Sequence, residues 1–288
     1  MKRIILSTIL LATAMVFALS LSCDGGGGGT NEPGIDTAVP EDTAPVDTIP
    51  VDTIPGVDSE PAELMDFAGT VEGFGMDGQM VSGVTVELFD NATGKGTGTT
   101  QVSDGDGKVT FPDLEKGKMY GFKCTLGNYK NTFVWNIEAG LMAEETLWIV
   151  PNTVYQMALG LAGLTQDENK SVVAGAVYWL ENNGDETGIG CATVTSDPAT
   201  DDVRYMAAGN GLPTTLANQS TTGCADTKAN GRYVAGNLPP GTVTLTATSE
   251  DGEVIGSTTL WSIKGSIAVS NIYPDATVTA NPTGGCCD

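Results

Sequence analysis

The chain has 288 residues, 36 acidic against 13 basic side chains, a formal charge of -23 and no histidine. Without histidine there is no Ser-His-Asp or Cys-His engine and no His-containing zinc site. Without clustered Lys and Arg there is no footprint for a nucleic-acid backbone, and the 38 glycines and 14 prolines beside 17% charged residues point to a turn-rich β protein of about two domains.

Lys2 and Arg3 precede a mostly apolar run of 18 residues from Ile4 to Leu21, followed by Ser22-Cys23 and then Asp24 with five glycines. That order is a secretory signal over 1–22. The segment resembles a bacterial lipoprotein signal. The resemblance implies Cys23 as the first mature residue, with fatty acyl chains such as palmitate on its thiol and amine. Ser20 departs from the aliphatic residue usual three places before the cysteine. The alternative is an uncleaved transmembrane anchor, for which the run is at the lower length limit. Either way the expected address is the cell envelope, membrane-tethered and facing the periplasm or the surface. Asp24 resembles the inner-membrane retention signal of enteric bacteria, and the choice of membrane stays open.

Residues 23–63 read as a disordered stalk. From Asp24 to Glu63 there are ten acidic residues, no basic ones, and prolines at 33, 40, 45, 50, 55 and 61. Such a segment cannot bury enough surface to offset its ordering entropy. Val46-Asp47-Thr48-Ile49-Pro50 recurs as Val51-Asp52-Thr53-Ile54-Pro55, and regular proline at about 3.1 Å per residue makes a semi-rigid spacer. The Asp-Thr-aliphatic triplets resemble an O-glycosylation motif of one bacterial phylum, beside the reading of soluble filler.

Beyond residue 64 apolar and polar residues alternate with the period of half-buried strands, interrupted by Gly, Asn and Asp. Val84, Val86 and Leu88 share one face, and so do Tyr120, Phe122, Cys124 and Leu126. Val243, Leu245 and Ala247 point one way while the threonines at 242, 244, 246 and 248 point the other; Ile267 and Val269 repeat the pattern. The expected fold class is all-β: two tandem antiparallel sandwiches, 64–150 and 170–280, with one wet face per sheet. Between them, over 151–169, Val154, Met157, Ala158, Leu161 and Ala162 space as a short helix capped by Asn152. Residues 281–288 read as a flexible tail.

The halves match each other. Asp106-Gly107-Lys108, Leu114 and Gly117 align with Asn230-Gly231-Arg232, Leu238 and Gly241 at an offset of 124, and Gly83–Leu88 aligns with Gly175–Leu180 at an offset of 92. The difference implies an insertion in the second half, placed at about 191–224. A Gly-x-Val strand, an Asp/Asn-Gly hairpin and Leu-x-x-Gly before a strand resemble the carboxypeptidase regulatory-like domain. The resemblance implies transthyretin-like or Ig-like sandwiches, and it says nothing of function.

With Cys23 assigned to lipid, five of the six cysteines remain, so one is expected unpaired. Cys124 is the natural odd one on its inward face. Cys191 and Cys224 enclose 32 residues and are expected to staple the insertion. Cys286 and Cys287 are adjacent, which allows a vicinal disulfide, two thiols or a link to another chain. No metal centre is expected: Asp104-Gly105-Asp106-Gly107 begins like a calcium loop, but Lys108 takes the next ligand place and the twelfth-position glutamate is missing. Asp104 and Asp106 stay as weak candidates beside the plain hairpin turn. No catalytic motif and no cofactor are expected. The function is read as a non-catalytic structural or binding module whose partner is the membrane, through Cys23, and an envelope protein or glycan. The alternative is a carbohydrate-binding accessory module with Trp179, Trp261 or Tyr205 as stacking platforms, decided by whether those rings are buried, and a hydrolase is a remote third reading that a deep cleft with two close carboxylates would revive.

Overall fold

The computed structural model describes residues 62–74, 78–141, 144–181, 186–206 and 231–278. They lie in the compact unit Pro61–Asp288; the other unit, Met1–Glu60, lies outside the described residues. So do Cys23, Cys224, Cys286, Cys287 and nearly all of the stalk. The elements are β1 (Leu64–Gly73), β2 (Thr85–Asp90), β3 (Lys95–Val102), β4 (Lys108–Glu115), β5 (Met119–Thr125), β6 (Tyr129–Lys130), β7 (Thr132–Glu138), β8 (Glu145–Pro151), α1 (Asn152–Leu161), β9 (Ser171–Ala176), β10 (Tyr178–Leu180), β11 (Glu186–Gly188), β12 (Thr193–Asp197), β13 (Val203–Tyr205), β14 (Arg232–Leu238), β15 (Gly241–Thr248), β16 (Val254–Ser262) and β17 (Ile267–Val269).

The expected all-β sandwich class holds, but the layers are shared. One eight-stranded sheet, β13-β14-β9-β17-β7-β5-β2-β3, runs through both halves of the sequence; β4-β1-β8-β6 and β12-β15-β16 are smaller sheets, and β10-β11 is a hairpin. The four-stranded sheet packs Phe67, Val71, Phe111, Leu147 and Ile149 against Val86, Leu88, Phe122, Cys124 and Val134 of the large one. The three-stranded sheet packs Val243, Leu245, Ala247, Ile255 and Leu260 against Val173, Tyr233 and Ala268, and also against Phe89, Phe133 and Trp135 from the first half. Phe133 and Val134 are neighbours on β7, so their side chains leave opposite faces. The two sandwiches therefore lie on opposite faces of one sheet, and β7 serves both cores.

This explains where the alternating pattern fails. β15 alternates cleanly, with Val243, Leu245 and Ala247 fully buried, because its other face is wet. β17, in contrast, pairs parallel to both β7 and β9 and is buried throughout, as are Thr132–Trp135 and Ser171–Ala174. Strands covered on both sides read as continuous apolar runs, the usual signature of parallel pairing. The expectation of antiparallel strands with one wet face is thus corrected at the middle of the sheet.

Helix α1 forms where expected, but its cap does not. Pro151 occupies the N-cap position without a side-chain bond, and Asn152 is already helical, its N–H donating to the Asn128 carbonyl. Tyr155 and Leu159 pack on Val172, Ala174, Val234 and Ile267, the face of the large sheet that the four-stranded sheet leaves uncovered.

Strand pairing also decides the internal repeat. Asp113 and Asn237 both take left-handed φ, 58° and 52°, each just before a buried leucine, and Gly107 and Gly231 share positive φ, so the 124-residue offset holds. The other anchor is corrected: Gly69 pairs with Val109 as Gly175 pairs with Tyr233, so Gly175 corresponds to Gly69 and not to Gly83. The interval is 40 residues in the first half (109 − 69) and 58 in the second (233 − 175), a surplus of 18. Val86 opposes Cys124 as Val194 opposes Ala247, which puts most of that surplus after β12. Cys191 stands before β12, so the Cys191–Cys224 span does not coincide with that surplus, and the placement of the insertion at about 191–224 is corrected to the segment after β12.

Candidate functional site

Two clusters of polar and aromatic side chains stand out. The first is a seam between sequence halves. Asn136 holds φ 63° within β7, two residues before its end; its Nδ2 donates to Thr258 Oγ1 at 3.0 Å and to the Thr259 carbonyl at 3.1 Å, and its Oδ1 accepts from Asn91 Nδ2 at 2.8 Å. Trp261 Nε1 donates to the Asn91 carbonyl at 3.0 Å, and its indole lies on Gly94, where a β-carbon would come within 2.2 Å of the ring. Trp261 is therefore a structural ring. Tyr205 is too: it is buried, and its hydroxyl accepts from the Val194 N–H at 2.9 Å.

The second cluster is open. Trp179 on β10 is half-buried and borders a hollow of about 270 Å³ together with Leu180, Tyr273, Pro274, Asp275 and Val278. Residues 270–275 cross the sandwich as a strap made possible by two glycines. A β-carbon on Gly175 would sit 1.8 Å from the Ser270 carbonyl oxygen, and one on Gly256 would sit 2.0 Å from that of Tyr273. The strap presents Tyr273, 41% exposed, beside Tyr178, ring centroids 6.3 Å apart. The Tyr273 hydroxyl donates to Glu186 Oε1 at 2.6 Å and accepts from Asn271 Nδ2 at 3.4 Å. Burial, followed by the bond to Glu186, pushes the phenol well above its usual range. Burial, with Glu186 second, raises Glu145; burial, with Glu144 second, raises Glu72. Sequence reasoning named Trp179 but missed Tyr273 and Glu186. Their only signal was Tyr-Pro following a short apolar strand.

The remaining candidates resolve individually. Asp104 Oδ1 accepts from the N–H groups of Asp106 and Lys108 at 2.9 and 2.8 Å, the geometry of a hairpin Asx turn. Among the described residues no group of three or more Asp, Glu or Cys is arranged to hold a metal ion. Cys124 is a free, fully buried thiol, pushed up to about 12 by burial. Cys191 is buried, has φ 61° and is disulfide-bonded.

No family model and no curated protein matches the sequence. Among solved structures it is similar to the Bacillus anthracis TIE protein (14% identity, TM-score 0.24, 73% of this chain and 34% of that one). It is also similar to the shaft pilin SpaA of Lactobacillus rhamnosus GG (13%, 0.24, 75% and 100%) and to BcpA, the major pilin subunit of Bacillus cereus (10%, 0.25, 74% and 100%). The chain thus spans about a third of the length of the Bacillus anthracis protein.

Proposed function

We propose that this chain is a membrane-anchored extracytoplasmic lipoprotein: a rigid, non-catalytic pair of β-sandwiches raised from the envelope on an acidic stalk by acylated Cys23. One observation supports it most directly, the way the fold uses its polar chemistry. Asn91, Asn136, Thr258 and Trp261 tie the halves to each other, which suits a body that presents surfaces rather than one that opens around a substrate. The bonded state of Cys191 fits an oxidising compartment. Of the cysteines outside the described residues, Cys224 is proposed as its partner. β1 begins at Leu64, directly after the stalk, so the tether enters the fold at a strand.

The test is metabolic labelling with an alkynyl fatty acid followed by envelope fractionation. The wild-type chain should carry label and sediment with membranes, and Cys23→Ala should lose the label and stay unprocessed. Equal labelling of the two would remove the anchoring assignment.

A further inference from the structure

We propose that the hollow beside Trp179 is a subsite for one neutral sugar ring of a glycan. The proposal extends the reading of a surface module with a binding role and is independent of the acyl anchor.

A pyranose has an apolar C–H face and an equatorial belt of hydroxyls, so its receptor combines an aromatic plane with hydrogen-bonding groups at the rim. The hollow has both. Trp179, Leu180 and Pro274 supply the apolar wall. At its edge stand the Tyr273 hydroxyl, already oriented by Glu186 at 2.6 Å and Asn271 at 3.4 Å, and the carboxylate of Asp275. A carboxylate holding one phenol keeps further acceptor sites for sugar hydroxyls. The rings are amphipathic platforms with few rotatable bonds, which keeps the ordering loss on binding small. The same groups select for neutral ligands. Among the described residues no Lys or Arg borders the hollow, and Glu186 bonds its rim tyrosine, so a phosphate, a uronate or the chain's own stalk, with its ten acidic residues, meets like charge.

The experiment is affinity electrophoresis of the full chain in detergent, in gels containing glycogen, mixed-linkage β-glucan or galactomannan, with tryptophan fluorescence as a second readout. At least one polymer should retard the wild-type chain and quench its emission. Trp179→Ala should weaken that retardation at least tenfold. Tyr273→Phe, which keeps the ring and loses the hydroxyl, should weaken it two- to fivefold. Trp179→Phe, intermediate in effect, serves if the alanine variant misfolds. Retardation by none of the three polymers overturns the proposal, as does retardation that survives loss of the indole, or quenching by a peptide of residues 46–55 in place of the polymers. The acyl-labelling result is unaffected by any of these outcomes.

Discussion

Trp135 on β7 lies across Gly121 on β5: a β-carbon at residue 121 would sit 2.2 Å from Trp135 Cε3. The indole is also stacked on Phe133 at 5.6 Å and meets Phe89 edge-on at 5.8 Å, so it cannot retreat without repacking the second core. Gly121→Ala should lose about 1–3 kcal/mol, the usual cost of overpacking, read as a lower urea midpoint at unchanged slope. A stability equal to wild type would show that the ring moves freely.

The seam offers a separable backbone and side-chain experiment. Asn136→Ala removes three side-chain bonds and leaves alanine at φ 63°. With about 1 kcal/mol per lost bond and about 1–2 kcal/mol for the left-handed backbone, it should be among the more damaging single changes. Asn136→Gly loses the same bonds without the backbone strain and should recover about 1 kcal/mol of that loss, measurable by chemical denaturation. Equal stabilities for the two variants would assign the whole effect to the bonds.

Cys124 supplies a pH dependence. Burial pushes its thiol from the ordinary 9.0 up to about 12. Between those values the unfolded chain loses a proton that the folded chain keeps, so stability should fall as pH rises from about 9 towards 12. Cys124→Ala should flatten that part of the profile. In the native protein at pH 8 the peptide carrying Cys124 should resist iodoacetamide, with mass spectrometry as the readout.

Ending the chain before Ile267 tests the shared sheet. β17 lies between β7 and β9, and without it the two halves lose the one direct strand-to-strand connection that the described residues make in the large sheet. The full chain should melt in one calorimetric transition, and the truncated chain should lose structure in both halves. A surviving first-half transition of unchanged midpoint would establish independent sandwiches, as the two matched sequence halves alone imply.

What could be read from the sequence follows from how many faces of each strand are wet. β15, with threonines out and Val243, Leu245 and Ala247 in, was legible because solvent imposes the alternation. So was the repeat at Gly107 and Gly231, where turn chemistry is local. β7, β9 and β17 were not, since Phe133-Val134-Trp135 and Ile267-Ala268-Val269 read as runs covered on both sides but carry no mark of which face meets which layer. The alignment of Gly175 with Gly83 failed for a related reason: one Gly-x-Val resembles another until pairing places Gly69 opposite Val109. In the open cluster, Trp179 was identifiable by residue type, but Tyr273 reaches it only because Gly175 and Gly256 admit a crossing strap, a contact between segments that local patterning cannot encode.

The position of β17 also sets an order of events. A chain emerging N-terminus first, from a ribosome or a translocation pore, completes β7 long before residue 269 appears, and until then one edge of that strand has no partner and Phe133 and Trp135 have no sheet above them. The first half must wait, with an open strand edge and uncovered aromatic rings, for the last described strand to arrive. Folding of this protein is therefore closed from its C-terminal end, and the period most exposed to misassociation is the time taken to deliver the second half of the chain.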